Sequence, residues 1–155
     1  MINETLQLSG QLNIVLKDKD GNVKNELTEK NLVVNAGLAF IINRMSSDVS
    51  GGKALMSHMA VGSGTTAAAA AQTALVTQLG SRETIDTTTI AGSNLEKIVY
   101  VSSFEAGDAT GAVTEAGIFN AASSGDMLCR TVFAVVNKAA DDTMSVTWTI
   151  TLAAT

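Results

Sequence analysis

Several residue types are scarce in this chain. Its 155 residues include no proline, one cysteine and one histidine. The lone Cys129 excludes an internal disulfide and a cysteine-rich zinc site. A histidine-based metal site needs more than one histidine, so we predict that His58 has a structural or subunit-contact role. Because proline often guards exposed sheet edges, its absence predicts edges that are covered by a neighbouring chain or capped in some other way.

Charge and hydrophobicity exclude two further classes of partner. Ten basic residues against 15 acidic ones give a net charge of -5, and the basic side chains are scattered, which argues against nucleic acid as a partner. No apolar run approaches the ~18 residues of a membrane span, and residues 1–4 lack the basic start of an export signal. We therefore predict a single domain over residues 1–155 that folds in the cytoplasm, without a membrane partner.

Alternating patterns predict that most of the chain is β-strand. Residues 6–16 place leucine, isoleucine or glycine at every even position, and Asp20-Gly21 suits a tight turn before an extended segment over 23–34. Residues 1–34 are thus predicted to form a long hairpin. Further strands are predicted over 55–61, 98–104, 111–119, 127–136 and 144–152.

One helix is predicted to follow the hairpin. Asn35 is expected to cap it, and Leu38, Ile41, Ile42 and Met45 recur at the spacing of one helical face. Residues 67–79 are alanine-rich and predict a second short helix. The sequence therefore predicts a mainly β fold, namely an antiparallel β-sandwich or jelly-roll-like domain with one or two short helices.

The candidate chemical sites favour structural interpretations. Aligning Gly21 with the glycine of a calcium loop puts Leu16 and Leu27 at ligand positions, so that match fails. Gly62-Ser63-Gly64 follows a strand as in a dinucleotide-binding loop, but no βαβ pattern surrounds it, and a tight turn is the better interpretation. Cys129 suits buried packing. We expect no catalytic residue, cofactor or metal, and hence no enzyme.

Four short motifs in order resemble a known family. They are Asn35-Ala36-Gly37-Leu38, the run from His58 to Thr65, Gln72-Thr73-Ala74-Leu75, and Thr114-Glu115-Ala116-Gly117-Ile118-Phe119-Asn120. Their order is similar to that in the N-terminal domain of phage tail-collar fibre proteins and related small virion proteins. The resemblance assigns structural roles to Gly62, Gly64, Glu115, Gly117 and Phe119.

The resemblance implies a bacteriophage virion structural protein located on the particle. Small one-domain β proteins of this kind are often capsid cement, or decoration, proteins that bind as homotrimers over junctions of the major capsid protein. A tail, collar or fibre-anchor component of the virion is the alternative. A small-ligand binder or enzyme built on the Gly62-Ser63-Gly64 loop is a third hypothesis, which would need a pocket with convergent polar groups.

The leading hairpin departs from the tail-collar pattern. Because its apolar face needs a cover, we expect residues 1–34 to be an extension that lies at a subunit boundary.

Overall fold

A computed structural model describes residues 5–46 and 52–154 of the chain. The prediction that the chain lacks an export signal was made from residues 1–4, which lie outside the described residues. The elements in chain order are β1 Leu6–Lys17, β2 Val23–Val33, α1 Asn35–Met45, β3 His58–Gly62, β4 Glu83–Thr84, β5 Thr87–Ala91, β6 Lys97–Phe104, β7 Gly111–Phe119, β8 Met127–Lys138 and β9 Thr143–Ala154.

The strands form one antiparallel sheet that curls into a half-barrel. Their order across the sheet is β4-β3-β7-β8-β2-β1-β9-β6-β5. The two ends of the sheet approach each other where the Ser102 hydroxyl of β6 donates to the Thr84 carbonyl of β4 at 3.0 Å. The mainly β prediction is confirmed, and the finer assignment to a sandwich or jelly roll stays a prediction.

The N-terminal hairpin lies in the middle of this sheet. Every residue of β1 pairs with β9, from Leu6 opposite Ala154 to Lys17 opposite Thr143, and β2 pairs with β8 at its far end. On the inner face of β1, Leu12, Ile14 and Leu16 are at most 2% exposed. The hairpin therefore contributes to the core of the domain, and its location at a subunit boundary stays a prediction.

The last strand supplies much of the core. Its even-numbered side chains, from Met144 to Ile150, are buried, as the alternating pattern predicts. Trp148 is fully buried, and its indole nitrogen donates to the Asn31 side-chain oxygen at 2.8 Å. This bond ties β9 to β2 across β1.

The helix forms where the sequence predicts it, but it packs by a different face. Gly37 and Phe40 are buried, whereas Leu38, Ile42 and Met45 are exposed. A Cβ on Gly37 would lie 2.0 Å from the Leu128 carbonyl oxygen, so glycine lets the helix approach β8 closely. The cap prediction is also wrong, because Val34 is the N-cap and Asn35 is the first helical residue.

Residues 67–79 form irregular turns instead of the predicted second helix. Alanine has the highest intrinsic helix propensity, but tertiary contacts override propensity, and the contacts described below hold this segment in another conformation. Within residues 5–46 and 52–154, no helix combines the length and the apolar character of a transmembrane span.

Candidate functional site

The residues that carry the family resemblance meet in one place. Gly62 of β3 lies opposite Glu115 of β7, and further along the same pair of strands Ala60 lies opposite Gly117 and His58 opposite Phe119. The 63–82 loop, which joins β3 to β4, folds over these strands. Motifs that are far apart in sequence thus form one contiguous unit.

A buried ion pair lies at the centre of this unit. Arg130 on β8 and Glu115 on neighbouring β7 have fully buried side chains, and Nε and Nη2 of Arg130 donate to Oε2 of Glu115 at 2.9 and 2.8 Å. The arginine also donates to the Gln72 side-chain oxygen and to the Thr66 carbonyl, each at 2.9 Å. Because a buried charge is costly unless paired and hydrogen-bonded, this pair fixes the loop onto the sheet.

The Glu115 carboxylate accepts hydrogen bonds from three backbone amides of the same loop. Oε1 accepts from Gly64 at 3.0 Å and from Thr77 at 2.7 Å, and Oε2 accepts from Val76 at 3.0 Å. Burial alone would raise the pKa of Glu115, but the amides of Thr77 and Val76 together with Arg130 outweigh it and lower the pKa below its ordinary value. The carboxylate therefore stays ionised and serves as an internal anchor.

Two glycines make room for that carboxylate. A Cβ on Gly62 would lie 2.3 Å from the Thr77 carbonyl oxygen, and one on Gly64 would lie 2.4 Å from Oε1 of Glu115. Both distances are far below van der Waals contact. The Gly62-Ser63-Gly64 motif is therefore explained by the close approach of the loop to the Glu115 carboxylate, to which the Gly64 amide donates. The next element after β3 is strand β4, whereas a dinucleotide-binding loop leads into a helix.

The C-terminal end of the 114–120 motif packs through apolar contacts around Phe119. Phe119 is fully buried, and the Arg82 guanidinium lies over its ring, 3.6 Å from the centroid. Arg82 also donates to the carbonyls of Ala121 and Ser124 at 2.9 and 2.7 Å. At Gly117, a Cβ would lie 3.1 Å from the Leu75 side chain, so this glycine lets the loop pack onto the strand.

The lone histidine and cysteine lie in separate surroundings. His58 is half-buried, and its Nδ1 lies 2.8 Å from the Ser57 hydroxyl. Cys129 is fully buried, and burial raises the pKa of its thiol well above the ordinary value. Among residues 5–46 and 52–154, no group of three or more histidine, cysteine or acidic side chains is placed to hold a metal ion.

A broad polar surface covers the outside of the sheet. Odd-numbered residues of β1 and β9 point outward, and Gln11, Thr149, Val99 and Thr89 follow one another across four strands. Most side chains here are threonine, serine, glutamine or asparagine. A shallow depression of about 500 Å³ lies among them, with Lys30 and Lys97 among its lining residues. We call this surface, on β1, β9, β6 and β5, the outer face.

Sequence reasoning found one half of the ion pair and missed the other. Glu115 was part of a motif, but Arg130 sits in a strand that is otherwise apolar on both faces. A lone arginine in such a strand, with a glutamate in the preceding strand, is the signal that could have linked them, because buried charges occur in pairs. The contacts to Gln72 and Thr66 depend on an irregular loop and leave no periodic pattern.

Comparison of the chain with protein-family models, curated proteins and solved structures gave no match.

Proposed function

We propose that this protein is a non-enzymatic structural protein of a bacteriophage particle and that it acts as capsid cement. In this role it binds on the shell surface over junctions between major capsid proteins, as a homo-oligomer for which the resemblance implies three copies. Its work is mechanical, because surface buried across subunit boundaries resists opening of a shell that is strained by packed DNA.

The convergence of the motif residues carries this proposal. Four short motifs could agree with a family by chance if they served unrelated parts of the chain. Here Gly62 and Gly64 make room for Glu115. One apolar cluster also contains a residue from each motif, namely Ala36, Ala60, Leu75 and Phe119. That interdependence supports the interpretation that the motifs are the signature of a shared fold, and so supports the resemblance to phage virion proteins.

The charges of the motif also favour a structural role over a chemical one. Both oxygens of Glu115 accept hydrogen bonds from the protein itself, and Arg130 donates to three different partners within the chain. A general acid or base needs an oxygen that reaches a substrate. The glutamate and arginine at the centre of the site are instead committed to holding the loop.

The outer face offers a surface suited to cement. Its middle is uncharged and rich in hydroxyl and amide groups, while lysines lie among its borders. Depletion of charge at the centre with charge at the rim is the usual arrangement of a protein interface. A face four strands wide is ~14 Å across, enough to touch more than one subunit at a junction.

The alternative is a tail, collar or fibre-anchor component. It is favoured by one specific observation, the Glu-x-Gly-aliphatic-Phe run at residues 115–119, which resembles the tail-collar family in particular. The two roles differ in copy number, since cement occupies the whole shell and a tail component only one vertex. Quantitative protein analysis of purified particles separates them.

The decisive experiment compares particles with and without this chain. If it is cement, particles that lack it should release DNA at a lower temperature, and added purified protein should restore the wild-type temperature, because a ligand of the closed shell stabilises it by mass action. Particles that resist heat normally but fail to adsorb to cells would contradict the cement proposal and support the tail alternative.

A substitution on the outer face tests the proposed contact surface. Gln11→Lys places a second positive charge opposite Lys30, in the depression of this face, and should weaken rebinding to the shell. Asn137→Lys makes the same change at an exposed amide on β8 and serves as the control. Equal rebinding of both variants would show that the outer face does not contact the capsid.

A further inference from the structure

The inner face of the half-barrel is left uncovered at one end. Leu12, Ile14 and Leu16 are buried, but on the same strand and the same face Leu6 is 70% exposed. Its neighbour Leu8 lies with Leu152, Ile41 and other apolar side chains in a groove of about 320 Å³ between α1 and the sheet. The sequence thus keeps core-type residues at positions that its own core does not reach.

This surface is continuous across four strands and the helix. A second depression, of about 190 Å³, is lined by Ile90 and Leu95 and shares Leu152 with the first. We define the open-end patch by five apolar side chains that are each at least one third exposed, namely Leu6, Met45, Ile90, Leu95 and Leu152. Together they expose on the order of several hundred Å², at or above the patch size typical of monomers.

An unguarded sheet edge borders the patch. Strand β5 ends the sheet, and no strand in the described part of the chain pairs with its outer side. Its sequence, Thr-Thr-Thr-Ile-Ala, has neither charge nor proline, the usual guards against pairing with another chain. Ile90 belongs both to this strand and to the open-end patch, so one approaching chain can pair with the edge and cover the patch.

We propose that a second copy of this chain covers the open-end patch, with strand β5 at the boundary. Two observations favour a copy over a different protein. The β5 sequence can lie antiparallel to itself without opposing like charges, and charges of both signs, Arg44, Glu96 and Lys97, lie beside the apolar groups. A rim of this kind can match its own copy. The scale of the patch also approaches the roughly 800 Å² that each partner buries in a stable complex.

The inference does not rest on the role in the particle, because it concerns the isolated protein. Sedimentation equilibrium of the purified full chain over the micromolar range measures it directly. The wild-type chain should sediment as a dimer, because antiparallel pairing of β5 with its own copy is a two-fold contact, and a trimer would overturn the proposal since three copies cannot share that contact. A monomer at every concentration overturns it, and the cement proposal then stands or fails by its own test.

Matched variants locate the interface. Ile90→Lys puts a charge in the patch on β5, and Val23→Lys makes the same change at a similarly exposed position, 57% against 63%, at the far end of the hairpin. Ile90→Lys should raise the dissociation constant at least tenfold, and Val23→Lys should leave it unchanged. Equal constants for the two variants overturn the proposal.

A second patch variant guards against a folding defect. Met45→Lys changes an exposed position on α1 that lines the groove, outside the sheet, and should also raise the dissociation constant at least tenfold. Circular dichroism confirms that each variant is folded before its constant is compared. A wild-type chain that is monomeric alone, yet loses shell binding through Ile90→Lys, would assign the patch to a different protein and overturn self-association.

Discussion

The polar cluster beneath the 63–82 loop and the open-end patch differ in how far the chain itself completes them. Around Glu115 and Arg130 the charged groups find partners within one chain. At the patch, core-type side chains such as Leu6 and Leu95 remain in water. The two regions also differ in what a missing partner does. A buried charge without its partner destabilises the fold by about 3–5 kcal/mol, whereas an exposed apolar side chain only forgoes the roughly 25 cal/mol per Å² that its burial would contribute. The polar cluster must therefore be completed within the chain, and the patch can be completed by a partner.

Breaking the polar cluster should have the largest effect. Arg130→Met leaves the Glu115 carboxylate buried without its partner, so the free energy of unfolding should fall by about 3–5 kcal/mol in urea denaturation. Lys19→Met removes an exposed ion pair with Asp20 and should change it by less than about 0.5 kcal/mol. Similar losses in both variants would mean that the buried pair does not anchor the loop.

Two leucines of one strand sharpen the comparison. Leu12→Ala removes a fully buried side chain and should cost about 2–5 kcal/mol, because a cavity remains. Leu6→Ala, on the same face but in the open-end patch, should cost less than about 0.5 kcal/mol in dilute protein. Chemical denaturation of both variants is the measurement, and a large loss at Leu6 would show that the patch is already covered within one chain.

Filling the space beside the anchor should have an intermediate effect. Gly64→Val places a side chain within 2.4 Å of the Glu115 carboxylate, so the overpacked loop should lose about 1–3 kcal/mol of stability. Ala112→Val, at an exposed site on β7, is the control. If Gly64→Val keeps the wild-type melting temperature but abolishes binding to particles, the loop itself is functional.

The smallest expected effect is a pH dependence. Because Arg130 and the loop amides lower the folded-state pKa of Glu115, its stabilising contribution is fully present above its unfolded pKa of 4.5 and is lost as the pH falls through the folded value. Stability measured from pH 6 downward should therefore decrease. The double variant Glu115→Leu, Arg130→Met removes the charged pair, and its curve should be flatter. An unchanged slope would assign the acid sensitivity to other carboxylates.

Periodic patterns explain how much of this fold was predictable. The alternation in β1 and β9 specified two strands and their inner faces, because burial on one face selects every second side chain. The α1 face was predicted wrongly because Gly37 lets the helix approach β8 and turns Leu38 and Ile42 outward. The 63–82 loop left no such pattern, since its shape depends on a carboxylate from β7.

The pairing of β1 with β9 also constrains how the chain folds. A hairpin of two strands is marginally stable alone, and β9, the second partner of β1, is synthesised only after β2 to β8. Native structure in the middle of the sheet therefore waits for contacts between residues far apart in sequence, which slows folding to the millisecond-to-second range typical of such topologies. During synthesis the N-terminal hairpin remains an unpaired strand surface, open to aggregation or to chaperones, until β9 arrives.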